Sequence, residues 1–153
     1  MRSVLLASFV VLGSLPAVAQ DNARLAISGD MVLGVTPRIK GPPPCVLSSE
    51  YRKGEMVVFR ARVTDAHTGQ ALDASGVASV TLEVSNGQKF PMKFGPHPPK
   101  NSTDNFWTAA WMIPEDHPTG SFTYKVIATN KNGASFTWEP FKIVASNLTI
   151  IEK

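Results

Sequence analysis

The stretch "FWTAAWMIPEDHPTGSFTYKVIATNKNG", residues 106–133, decides the fold. Trp107, Ala109, Trp111 and Ile113 alternate with Phe106, Thr108, Ala110 and Met112. After the turn, Phe122, Tyr124, Val126 and Ala128 alternate with Thr123, Lys125 and Thr129. A period of two places alternate side chains on opposite faces, which is the signature of a strand and not of a helix. The aromatic set of the first segment therefore faces a core, and so does the apolar set of the second. Between them, Pro114, Glu115-Asp116, Pro118 and Gly120 have the composition of a tight corner. Asn130-Lys131-Asn132-Gly133 then reads as a hairpin turn.

The same pattern extends towards the N-terminus. In "EMVVFRARVTDA", Val57, Phe59, Ala61 and Val63 share one face, and the opposite face is largely charged or polar. "VASVTLEV" places Val80, Leu82 and Val84 together, and Asn86-Gly87 is a strong hairpin signal. "KFPMKF" returns as a short strand, and Pro91 assigns it to a sheet edge, because proline has no N–H for a ladder. "ASFTWEPFKIVASNLTII" supplies the last strand or strands, broken at Pro140. Upstream, "ARLAISGDMVLGV" is a lead-in strand and "TPRIKGPPPC" a stiff proline-rich connector. About seven short strands with no intervening helix predict an all-β sandwich.

The residues from Trp111 to Asn130 carry a resemblance. Trp111, Ile113, Pro114, Glu115-Asp116, Pro118, Gly120, Phe122, Tyr124, Val126, Ala128 and Asn130 fall on the pattern of bacterial immunoglobulin-like and fibronectin-III-like domains. Phe122 stands where tyrosine is commoner, and Asn130 where aspartate is. The resemblance covers roughly residues 51–151 and implies an antiparallel immunoglobulin-like sandwich. It is nearly silent on function, because this fold serves adhesion, spacing, carbohydrate binding and subunit docking alike.

"MRSVLLASFVVLGSLPAVAQ" has a basic start at Arg2, an apolar run and the small triplet Ala17-Val18-Ala19. That is the layout of a secretory signal peptide cleaved after Ala19, and it predicts a periplasmic or secreted protein. The expected organisation is residues 1–19 as signal peptide, 20–50 as lead-in and connector, and 51–153 as the sandwich. The formal charge of +3 falls by one with Arg2, and no Lys/Arg run marks a nucleic-acid footprint. Cys45 is the sole cysteine, so the chain has no internal disulfide, and Cys45 is either a free thiol, expected to be buried and inert, or a cross-chain bridge.

No constellation assembles a catalytic set. The nucleophile-elbow pattern, the glycine-rich phosphate loop and the spaced carboxylates of a calcium loop are all missing, so the chain reads as non-enzymatic with no cofactor. The strand directions place His67 and His97 at one end of the sandwich and His117 at the other. His67 and His97 are thus the candidate metal ligands for copper or zinc, with Met92 or Cys45 in support. Trp107 or Trp138 could serve a carbohydrate-binding module. The leading expectation is docking on another exported protein. Its contacts would come from the loops Asp65–Asp73, Gly95–Asp104 and Asn130–Gly133, with His67, His97, Asn130, Lys131 and Asn132 as candidates. On the outer sheet face, Phe106 and Met112 are the apolar candidates.

Overall fold

In a computed structural model, residues 24–42, 44–97 and 104–153 are described. The expected signal peptide lies outside them, as does most of the loop that follows His97. The chain is all-β. Its strands are β1 (Leu25–Leu33), β2 (Glu50–Arg52), β3 (Met56–Asp65), β4 (Val77–Val84), β5 (Lys89–Pro91), β6 (Lys93–Pro96), β7 (Asn105–Met112), β8 (Gly120–Phe122), β9 (Tyr124–Asn130), β10 (Ser135–Trp138) and β11 (Leu148–Ile151). One sheet has the order β1-β3-β7-β6 and a second the order β10-β9-β4-β5. A small third sheet, β2-β11-β8, pairs β2 with β11 in parallel and β11 with β8 antiparallel.

The sequence counts about seven strands; among the described residues there are eleven, because three expected segments are each split in two for local reasons and β2 has no counterpart in the sequence reading. Met92 leaves the ladder between β5 and β6, and Thr123 does so between β8 and β9. Pro140 separates β10 from β11. β5 is an edge strand, as Pro91 requires. The lead-in strand is not interrupted at Gly29-Asp30. It is the edge strand of the first sheet and pairs with β3 over nine residues, from Leu25 opposite Asp65 to Leu33 opposite Val57. Gly29 is needed there because a Cβ would lie 2.8 Å from the Arg60 carbonyl oxygen and 3.0 Å from the Trp138 ring.

The alternation sets the core. Val57, Phe59, Ala61 and Val63 of β3 pack with Trp107, Ala109 and Trp111 of β7 and with Val80, Leu82 and Val126 of the second sheet in one cluster. Burying a side chain of this size contributes about 1.5–3 kcal/mol each. Phe59 meets Tyr124 edge to face at 5.1 Å, which ties the two sheets together. Met92 is also buried in this cluster, so its thioether is taken by the core and does not join the loop histidines. No helix among the described residues is long and apolar enough to cross a membrane.

Candidate functional site

Strand directions sort the loops. The β3–β4 loop meets the β9–β10 turn through Lys131 Nζ, which donates to the Ala74 carbonyl at 3.2 Å. The same loop meets the start of β7, where Trp107 Nε1 donates to the Leu72 carbonyl at 2.9 Å. Trp107 is thus a buried residue with a satisfied N–H and offers no sugar platform. Asn130 is buried, and its side-chain oxygen accepts from the N–H groups of Asn132 and Ala134, which shapes the turn. His67 is exposed in the turn after β3, where the Asp65 carboxylate accepts from the backbone N–H groups of His67 and Thr68. Those two bonds, Thr68 first, hold the Asp65 pKa below the ordinary aspartate value.

His117 lies at the opposite end, in the corner after β7. It is 8% exposed, between the rings of Trp111 at 5.0 Å and Phe122 at 5.3 Å. Its Nδ1 donates to the Pro118 carbonyl at 2.8 Å, and its Nε2 faces Asn86 Nδ2 at 3.1 Å as acceptor. Both ring nitrogens are therefore used in holding the corner.

The outer face of the first sheet is only partly open. Phe106 is half-buried, with the guanidinium groups of Arg60 and Arg62 at 5.0 and 5.3 Å from its ring centroid. Contacts of this kind contribute about 0.5–1 kcal/mol at exposed sites. Arg60 in turn binds Asp30 through two 2.7 Å bonds. Beside them the segment after β1 folds back: Cys45 N–H donates to the Leu33 carbonyl at 3.0 Å, and Val32 bridges Leu47. This brings Cys45 Sγ to 3.7 Å from His97 Nε2. Burial first, and then the positive charge of Arg60, lower the His97 pKa, while Asp30 opposes them. Among the described residues, no three His, Cys, Asp or Glu side chains converge closely enough to hold a metal ion. Met112 is 45% exposed at the far end of β7, where its partner Met56 bonds to Val35.

The most open apolar surface lies elsewhere, on a feature that sequence reasoning missed. Between β10 and β11 the chain leaves the sheet at Pro140 and forms a single 3-10 turn, Val144–Ser146. Phe141 is 84% exposed and Val144 74%, with Ile143 also exposed. Leu47, 70% exposed, and its neighbour Val46 come from the segment that flanks β1. Leu47 and Phe141 line one groove of about 520 Å³ together with Met31, Tyr124, Trp138 and Ala145. A second groove of about 540 Å³ runs along the other side of Phe141, past Glu83, Lys125 and Lys142. Trp138, the other carbohydrate candidate of the sequence, covers Gly29 and meets Tyr124 at 6.1 Å, so it forms the floor of the first groove. The signal that was available is the run Phe141-Lys142-Ile143-Val144 directly after a ladder-ending proline.

No protein-family model matches the chain, and no curated protein matches it.

Proposed function

We propose that this chain is an exported, non-enzymatic module of the immunoglobulin-like kind that docks on another periplasmic or secreted protein through the ridge formed by Phe141, Ile143, Val144 and Leu47. The carrying observation is the exposure of Phe141, Ile143 and Val144 along one short run of chain, with Phe141 and exposed Leu47 lining the same groove. Contiguous exposed apolar surface is expensive in water and marks an interaction site. The orders β1-β3-β7-β6 and β10-β9-β4-β5 follow the strand order of an immunoglobulin-like sandwich in which the four-stranded sheet faces a three-stranded one extended by an edge strand, here β5. The signal-like leader supports export.

The test is a photo-crosslinking residue placed at Phe141 in the producing cell, with a second at exposed Ser79 on β4 as control. A discrete adduct from position 141 that is missing from position 79 is expected. Equal adducts from both positions, or none from either, would count against docking by the ridge.

A second reading has one observation in its favour. Trp138, Tyr124 and Phe141 beside Asp30, Ser48 and Ser49 combine aromatic surface with polar groups, as a carbohydrate-binding groove does. Binding on a glycan array that is abolished by Trp138→Ala would favour it over docking.

A further inference from the structure

We propose that Cys45 and His97 form a two-ligand site for Cu(I) on the outer face of the first sheet. The site shares no residue with the ridge, so either reading can fail alone.

The geometry carries the proposal. Sγ and Nε2 stand 3.7 Å apart although the residues are 52 positions apart in sequence. A first-row metal ion sits about 2.3 Å from a thiolate sulfur and about 2.0–2.1 Å from an imidazole nitrogen. Two such ligands are then roughly 3.6 Å apart at a tetrahedral angle and roughly 4.3 Å apart when collinear. The observed separation matches a bent, near-trigonal angle and is roughly 0.6 Å short of the collinear one, so the two side chains would supply two positions of a three-coordinate ion, with the third taken from solution. Cys45 is positioned by its bond to Leu33, and it is the one non-glycine among the described residues with a positive φ, at 48°. A side chain held in this disfavoured backbone region is fixed by its surroundings. The main chain at His97 is held as well, its backbone N–H donating to the Asp104 carbonyl at 3.3 Å.

The choice of ion follows from the number and softness of the ligands. Thiolate with imidazole suits copper(I) or zinc. Structural zinc requires four ligands, whereas Cu(I), a soft d¹⁰ ion, is content with two or three. No third His, Cys, Asp or Glu converges here among the described residues. Asp30, whose charge reaches His97, is engaged by Arg60 through both carboxylate oxygens. Arg60 also lies close enough for its charge to act on both Cys45 and His97. Coulomb repulsion scales with charge, so this cation disfavours a dication twice as much as a monocation at the same distance. Copper binding to Cys45 displaces the thiol proton to solvent and leaves a neutral thiolate–Cu(I) pair.

The test is an anaerobic competition in which the reduced chain withdraws Cu(I) from a chromophoric Cu(I) chelator, followed by X-ray absorption at the copper edge. One equivalent of copper should be withdrawn, with one sulfur scatterer and at least one nitrogen scatterer. Altering the partners around a metal typically costs 10–100-fold in affinity, and losing a ligand should cost at least as much. Cys45→Ser is therefore expected to weaken binding by about 100-fold or more, His97→Gln by about tenfold or more. His67→Gln should leave affinity unchanged. Thermal melts of the copper-free variants should match the parent, since Cys45 is only half-buried. Failure to withdraw copper, unchanged affinity in Cys45→Ser, or tighter binding of Zn(II) than of Cu(I) would each overturn the proposal.

Discussion

Two strands of this protein end alike. β7 ends at Met112, just past Trp111, and β10 ends at Trp138; Pro114 and Pro140 follow two residues after the respective ends. After Pro114 the chain closes over the core: Ile113 is 1% exposed and His117 is buried between two rings. After Pro140 it opens, and Phe141 stands almost fully in solvent. The difference lies in the partners available to the backbone and to the side chains. At the first corner, Ile113 exchanges hydrogen bonds with Gly54 and Glu55, and His117 is held by Pro118 and Asn86. At the second, the bonds are local turns, Ile143 to Phe141 and Ser146 to Ile143. These satisfy the backbone and leave the side chains facing outward. A proline ends a ladder in both places, but only a distant partner turns the end into a buried corner.

This contrast predicts a graded set of responses. Trp111→Ala, in the closed corner, should cost about 3–5 kcal/mol in denaturant unfolding, as large-to-small core changes do. Phe141→Ala, in the open one, should stay within about 0.5 kcal/mol. A comparable loss at both positions would erase the contrast.

Glu55 anchors the closed corner from within. Its carboxylate is buried and accepts from the Thr36 hydroxyl at 2.7 Å, Arg38 Nε at 2.6 Å and the Arg52 N–H at 2.9 Å. Burial alone would raise its pKa. The hydrogen bonds from Arg52, Thr36 and Arg38, together with the charge of Arg38, outweigh it and hold the pKa below the ordinary glutamate value. A carboxylate with a lowered folded pKa adds stability above its unfolded pKa. That stability is lost as pH falls through the folded one. Glu55→Gln should therefore destabilise by about 1–3 kcal/mol near neutral pH. The gap between variant and parent should shrink on acidification below the ordinary glutamate range. A gap that widens in acid would reverse the assignment.

Gly29→Ala probes the floor of the open region. The added Cβ meets the Arg60 carbonyl and the Trp138 ring. It should cost about 1–3 kcal/mol by overpacking and displace Trp138, read as a shift in tryptophan fluorescence. A variant with unchanged stability and unchanged emission would show that Trp138 does not rest there.

Periodicity in the sequence was enough to assign the core. Trp107, Trp111, Tyr124, Val126 and Ala128 fall on the buried face their alternation requires. Turn chemistry was equally readable, with Gly87 and Gly133 in positive-φ conformations. The outer surface was less so, because alternation says which way a side chain points and not what covers it. Phe106 points outward as expected yet lies beneath two arginines, and Val32 and Val58 are buried on that same outer face by the segment returning after β1. The meeting of Cys45 with His97 depends on that long return and has no local signature. The ridge after Pro140 was hidden for the opposite reason, since an apolar run beside a strand reads as more strand.

The central claim is that the open region, and not the closed corner, is where a partner rests. Its most direct test is the affinity between the double variant Phe141→Asp/Val144→Asp and the protein crosslinked at position 141. The variant should unfold within about 0.5 kcal/mol of the parent, yet bind about 30-fold or more weaker, as the loss of a hot spot does. Affinity equal to that of the parent, in a variant just as stable, would contradict the account.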